Sequence, residues 1–244
     1  MSRFISDVLF HFVGRDHPSD HERNYDVLKR ILSQGWVSHP PHDDTWGATS
    51  YKIDLSRPLV SEKMLVPTVT CYCDIPFEHL PLHLGKYGKF GLSLNKHLLI
   101  KYGARPVIYV PLRPDDWAGA HGGHTWLRDV EAAYRGFRTH IYDKLGQLRS
   151  ARRSPGALPT SPEEAAAALD SALTLNFLAF IKPYDSFLSD GDVNYFYSER
   201  EWRKFGNQQF EPQDVKHVIV AEGYIDRLRR VLPQYAGKVV LAPE

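Results

Sequence analysis

Runs with the period and composition of β-strands stand at both ends of this chain, and helical patterns lie between them. Val8 to Val13 forms a short apolar run around His11, while Val215 to Val220 and Val239 to Leu241 read as late strands. Strands at both ends with helices between them suit a single mixed sheet closed by its last strands. The sequence therefore predicts one α+β domain over 1–244, with a mostly antiparallel sheet and flanking helices. A loop and helix insertion is expected at about 112–160.

Between these ends, Ser19-Asp-His-Glu22 has the form of a capping box, followed by Val27, Leu28, Ile31 and Leu32 at helical spacing and by Gly35 as a stop. A polar stretch runs from Ser38 to Ser50. Tyr51 to Leu55, Val66 to Cys73, Phe90 to Leu94 and Pro106 to Val110 read as strands, with a short helix over Lys96 to Lys101. Gly85 to Gly91 reads as a turn entering the Phe90 strand, since it lacks the ending of a phosphate-binding loop. Leu127, Val130, Tyr134, Phe137, Ile141 and Leu145 mark an amphipathic helix closed by Gly146. Gln147 to Pro159, with Arg149, Arg152 and Arg153, reads as a surface connection. A second long helix starts at a Thr160 or Ser161 cap with Pro162 in its first turn, and is expected to run to about Ile181, where Pro183 stops it. A strand over Tyr195 to Phe205 and a helix over about Glu222 to Val231 complete the pattern.

Thirty basic against twenty-nine acidic side chains leave a net charge of +1, so no global field draws the chain to nucleic acid or an anionic membrane. No stretch approaches the roughly 20 apolar residues of a membrane span, and the N-terminus lacks the apolar centre of a signal peptide. Two cysteines, Cys71 and Cys73, exclude a disulfide framework. The expected location is the cytoplasm.

The segment richest in chemistry is Glu199-Arg200-Glu201. In an extended strand the side chains of Tyr197, Glu199, Glu201 and Arg203 share one face, so two carboxylates stand side by side. Like charges at that spacing separate an acid from a base, and a carboxylate pair stabilises an oxocarbenium-like centre. The competing reading is a solvent-facing strand whose carboxylates pair with Arg203 and cross-strand cations. His11 can orient a ligand through its imidazole, or be a satisfied histidine. Tyr72 can stack on a heteroaromatic ring, or be a buried tyrosine. Cys71, Cys73, His79 and His83 are zinc-type ligands, but Cys-x-Cys is too tight and Pro81 lies between the two histidines, so no metal is expected. His121-Gly-Gly-His124 reads as a loop with a chance histidine pair.

Phe10-His-Phe-Val-Gly14, Val69-Thr-Cys-Tyr-Cys-Asp-Ile-Pro76, Tyr87-Gly-Lys-Phe-Gly-Leu-Ser-Leu94 and Tyr197-Ser-Glu-Arg-Glu-Trp-Arg203 together resemble the AbiGi-type abortive phage resistance (antitoxin) family. That resemblance implies phage defence, with a toxin or a phage or host protein as partner. A weaker resemblance, in the order of an early His or Arg strand, a middle strand with an aromatic residue and a late Glu-bearing strand, is to ADP-ribosyltransferase folds, several of which carry Glu-x-Glu. It implies NAD as substrate for ADP-ribosyl transfer or NAD cleavage. Glu201 would then be the ribose-binding catalytic carboxylate and Glu199 would activate the acceptor, with His11, Tyr72 and Arg203 as cofactor-binding residues. The Ser-Thr-Ser strand of the arginine-specific members is missing.

Overall fold

The structure, a computed structural model, describes residues 6–38, 50–112, 123–142, 158–189, 192 and 195–244. The Arg149, Arg152 and Arg153 cluster, most of the 38–50 stretch, the Leu145–Gly146 end of the first long helix and the side chains of the His121–His124 loop lie outside them. From the N-terminus run β1 (Val8–Phe12), α1 (His21–Gln34), β2 (Trp36–Val37), β3 (Tyr51–Ile53), β4 (Leu65–Pro67) and β5 (Val69–Cys73). Then come α2 (Pro81–Tyr87), β6 (Gly91–Asn95), α3 (Lys96–Lys101), β7 (Arg105–Pro106) and β8 (Ile108–Leu112). The remainder is α4 (Gly123–Phe137), α5 (Pro162–Asn176), β9 (Ile181–Asp185), β10 (Glu201–Phe205), β11 (Gln208–Gln209), β12 (Val215–Val220), α6 (Ile225–Val231) and β13 (Val239–Leu241).

Contacts divide the chain into two compact units, one of Met1–Ser50, Thr68–Val107 and Asp190–Glu244, the other of Tyr51–Pro67 and Ile108–Ser189. The first holds a seven-stranded sheet in the order β13-β12-β6-β1-β5-β10-β7. All of its pairings are antiparallel except β12 with β13. The mixed, mostly antiparallel α+β fold expected from the sequence is therefore present.

Alternation along the strands sends each sheet face to a different core. Leu9, Tyr72, Leu92, Leu94 and Val218 meet Tyr25, Leu28 and Leu32 of α1 and Leu228 of α6 in the larger cluster. Each such leucine contributes roughly 1.5–3 kcal/mol through removal from water. Val8, Phe10, Phe12, Cys73 and Ile219 point the other way and meet Leu80 and Leu84 at α2. Asp20, one residue later than the expected Ser19, caps α1 by accepting from the Arg23 amide at 3.1 Å. Glu22 does not complete a capping box; it turns outward to Arg227 and Tyr224. Gly35, at φ 70°, ends α1 as expected.

The second unit holds two two-stranded sheets, antiparallel β3–β4 and parallel β8–β9. Ser161 caps α5, but the helix stops at Asn176 instead of about Ile181, and Pro183 sits inside β9. A proline is tolerated there because each strand of a two-stranded sheet has an unpaired edge. Arg138 pairs with the buried Asp170 at 2.7 Å, and the Tyr134 hydroxyl meets Thr174 Oγ1 at 2.7 Å. The run Pro106 to Val110 is not one strand: Val107 ends the first unit and β8 begins in the second. The Val66 to Cys73 run is likewise cut, at Thr68, into β4 and β5.

Candidate functional site

β10 is shorter than the strand expected over Tyr195 to Phe205, and the shortening reshapes the Glu pair. Tyr197–Glu199 form a 3-10 turn, and Arg200 follows with φ 46° and ψ 51°, a left-handed conformation costly for a residue with a Cβ. The Arg200 carbonyl accepts the Asp74 amide at 3.2 Å, which ties the turn to the end of β5. Only Glu201 and Arg203 of the expected face therefore belong to the sheet. Nor does that face look onto solvent: β10 lies between β5 and β7, and Glu199, Glu201 and Arg203 are 5%, 7% and 7% exposed.

The two carboxylates have different partners. Glu201 stands opposite Cys73, and its Oε1 accepts from Arg203 Nε at 2.7 Å. Glu199 Oε1 accepts from the Tyr87 hydroxyl at 2.7 Å and lies 3.7 Å from Lys86 Nζ. Tyr87 reaches that position because its carbonyl takes the Gly14 amide at 3.0 Å, just past the end of β1. A Cβ on Gly14 would stand 2.4 Å from the same carbonyl oxygen, so glycine is what lets the two backbones close. Gly85, Lys86 and Tyr87 are the last turn of α2, not the turn the sequence suggested, and Gly88 ends it at φ 80°.

The buried ring system behind Glu199 is neutral. His83 stacks on Tyr87 with ring centres 4.4 Å apart and tilts against Phe12 at 5.2 Å. Burial, and then the Lys86 charge, hold its pKa down to about 3. Burial also pushes the Tyr87 phenol up, reinforced by the Glu199 charge and by its hydrogen bond to that carboxylate, with Glu201 acting in the same sense. The Cys73 thiol rises by burial, then through Glu199 and Asp74.

A cleft of about 200 Å³ opens beside Glu199. Its apolar wall is Ile75, Pro76 and Leu82; its polar lining is His79, His83, Lys86, Ser198, Glu199 and Arg200. Lys86 also donates to the Tyr195 carbonyl at 3.1 Å, which fixes its ammonium near the inner wall.

His11 and Tyr72 lie elsewhere. His11 pairs with Leu92 and Tyr72 with Trp202, so both belong to the sheet face opposite the one carrying Glu201 and Arg203. Their rings are 5.7 Å apart, and His11 Nδ1 is 2.9 Å from the Cys71 carbonyl, which makes that nitrogen the proton carrier. Tyr72 is buried in the larger core, and its phenol is pushed far up by that burial. The structure thus keeps Glu201 with Arg203, gives Glu199 separate partners in Tyr87 and Lys86, and places the sheet between the Glu201–Arg203 pair and the His11–Tyr72 pair. Among the described residues, no three His, Cys, Asp or Glu side chains gather as a metal site.

Tyr87, Lys86, His83 and Arg200 were not anticipated around the Glu pair. The spacing of His83 and Tyr87, four apart after a helix-starting proline, does put both on one helix face. The partner of Tyr87, 112 residues further along at Glu199, leaves no local signal.

With this geometry in place, the comparison with protein families is decisive. A family model described as "Putative abortive phage resistance protein AbiGi, antitoxin" matches residues 46–236. The chain belongs to the AbiGi family. That membership puts it among abortive-infection phage resistance proteins, and the matched span takes in the Val69, Tyr87 and Tyr197 motifs while leaving Phe10 to Gly14 outside. No curated protein and no solved structure matches this AbiGi chain. Among its described residues, no helix is long and apolar enough to cross a membrane.

Proposed function

We propose that this AbiGi protein acts in abortive infection as an antitoxin, restraining a toxin protein by direct association and not by chemistry at its Glu pair. One observation carries the reading: the Glu201 carboxylate is held by Arg203 at 2.7 Å in a covered row of the sheet, on the opposite side from His11 and Tyr72. Of the three cofactor-holding candidates only Arg203 stands beside Glu201, where its guanidinium is engaged by that carboxylate, while His11 and Tyr72 lie across the sheet. The antitoxin label of the family supports the same reading. The test is co-expression of the full chain with the product of the adjacent gene. Growth is restored and the two proteins co-purify in a fixed ratio; toxicity unrelieved by the chain, with no complex, contradicts the proposal.

A second reading retains NAD cleavage or ADP-ribosyl transfer. What favours it is that Glu199 lines a cleft and that the charges of both carboxylates reach the Tyr87 phenol despite the turn. It requires the Glu201–Arg203 pair to open when NAD enters.

A further inference from the structure

Several polar groups that line the cleft beside Glu199 are already engaged within the fold. Lys86 Nζ lies 3.7 Å from Glu199 and donates to the Tyr195 carbonyl, and Glu199 accepts from the Tyr87 hydroxyl. Ser198 Oγ donates to the Tyr195 carbonyl at 3.3 Å. His83 differs from these. It lines the same cleft and is only 8% exposed, yet among the described residues its ring nitrogens have no hydrogen-bond partner. Its neighbours are rings, Tyr87 at 4.4 Å and Phe12 at 5.2 Å. Buried polar side chains are hydrogen-bonded in the large majority of cases, so this imidazole is short of a partner.

The lining specifies what the cleft can accept. Burial, and then the Lys86 charge, keep the His83 imidazole neutral, so one of its nitrogens donates and the other accepts. Ile75, Pro76 and Leu82 supply an apolar wall, and Leu82 is 60% exposed. At about 200 Å³ the cleft is smaller than the roughly 300–1,000 Å³ of drug-sized sites, so it takes one ring system. The occupant that fits has an apolar body and one uncharged polar tip. Tyrosine and tryptophan side chains have that form, and seated in a partner's pocket they are the anchors that dominate protein–protein binding.

We propose that this cleft is the socket for one tyrosine or tryptophan side chain of the toxin, its ring against Ile75, Pro76 and Leu82 and its O–H or N–H on the His83 imidazole. This rests on the antitoxin reading above and adds the place on the chain where the toxin docks.

The full chain and two variants are titrated calorimetrically against the purified product of the adjacent gene. Leu82→Glu sets a carboxylate at an exposed position, leaves the melting temperature unchanged and weakens the complex about tenfold or more. His83→Phe keeps a ring beside Phe12 and Tyr87 but removes both nitrogens, and weakens the complex about threefold or more. A competition reads the polar tip directly. p-Cresol, the free side chain of tyrosine, displaces the toxin from the natural chain about threefold more effectively than toluene, and His83→Phe abolishes that difference. An affinity left within twofold by either substitution, or equal competition by p-cresol and toluene on the natural chain, overturns the socket and leaves the antitoxin reading standing. Absence of any complex with the natural chain overturns both.

Discussion

The two faces of the seven-stranded sheet are made of the same strands and do different work. One face, with Leu9, Tyr72, Leu92, Leu94 and Val218, packs against α1 and α6 in the larger apolar cluster, and it also carries His11 and the buried Thr70 and Lys204 away from that cluster's centre. The other, which carries Phe10, Cys73 and Ile219, also holds Glu201, Arg203, Ser93 and His217, and its smaller cluster ends at α2. Ser93 Oγ there accepts the His217 amide at 3.0 Å and meets the His217 ring at 2.9 Å. The larger cluster supplies stability chiefly through buried area, whereas the Glu201–Arg203 and Ser93–His217 rows of the second face depend on each polar group keeping its partner.

The comparison is broken most severely by removing one half of a buried pair. Arg203→Leu removes the guanidinium that the buried Glu201 accepts from and is expected to cost about 3–5 kcal/mol in urea unfolding, while Arg203→Leu with Glu201→Leu recovers most of the loss. A double variant no more stable than the single one would show that shape, not charge pairing, governs this face. Leu92→Ala in the larger cluster costs about 2–5 kcal/mol, and no single polar change elsewhere restores it.

Smaller effects sharpen the contrast. Tyr87→Phe deletes the hydroxyl that Glu199 accepts from and lowers stability by about 1–3 kcal/mol, measured as a shift of the urea midpoint. His83 sets a pH window. Its folded pKa of about 3 lies below the unfolded 6.5, so between these values the unfolded chain binds a proton that the folded chain refuses. Stability is complete above pH 6.5 and falls with pH toward 3, by at most about 1.4 kcal/mol per pH unit from this group. His83→Phe, which keeps a ring between Phe12 and Tyr87, should have a correspondingly shallower acid limb in chemical denaturation from pH 7 to 4.

The period of the chain made much of this legible. β1, β6, α3 and β12 fall where their apolar alternation or helical spacing puts them, because those elements bury a continuous face. Ser161 and Gly35 announce their helix ends through capping chemistry that is local. The Tyr195 to Phe205 run misleads because its alternation is unbroken, while the bond from the Asp74 amide to the Arg200 carbonyl, which ties the left-handed turn to the end of β5, comes from a residue far off in sequence. Glu199, Glu201 and Arg203 were visible as a group for their charge. That His11 and Tyr72 lie behind the sheet follows from register, Phe10 with Cys73 and Trp202 with Tyr72, which pairing fixes and composition does not.

The most direct measurement of the central claim, that Glu201 is a structural carboxylate in a binding protein, is turnover of labelled NAD by the purified full chain and by Glu201→Gln. The account predicts no release of nicotinamide above the protein-free rate from either. Steady nicotinamide release by the natural chain that disappears in a folded Glu201→Gln variant would contradict it.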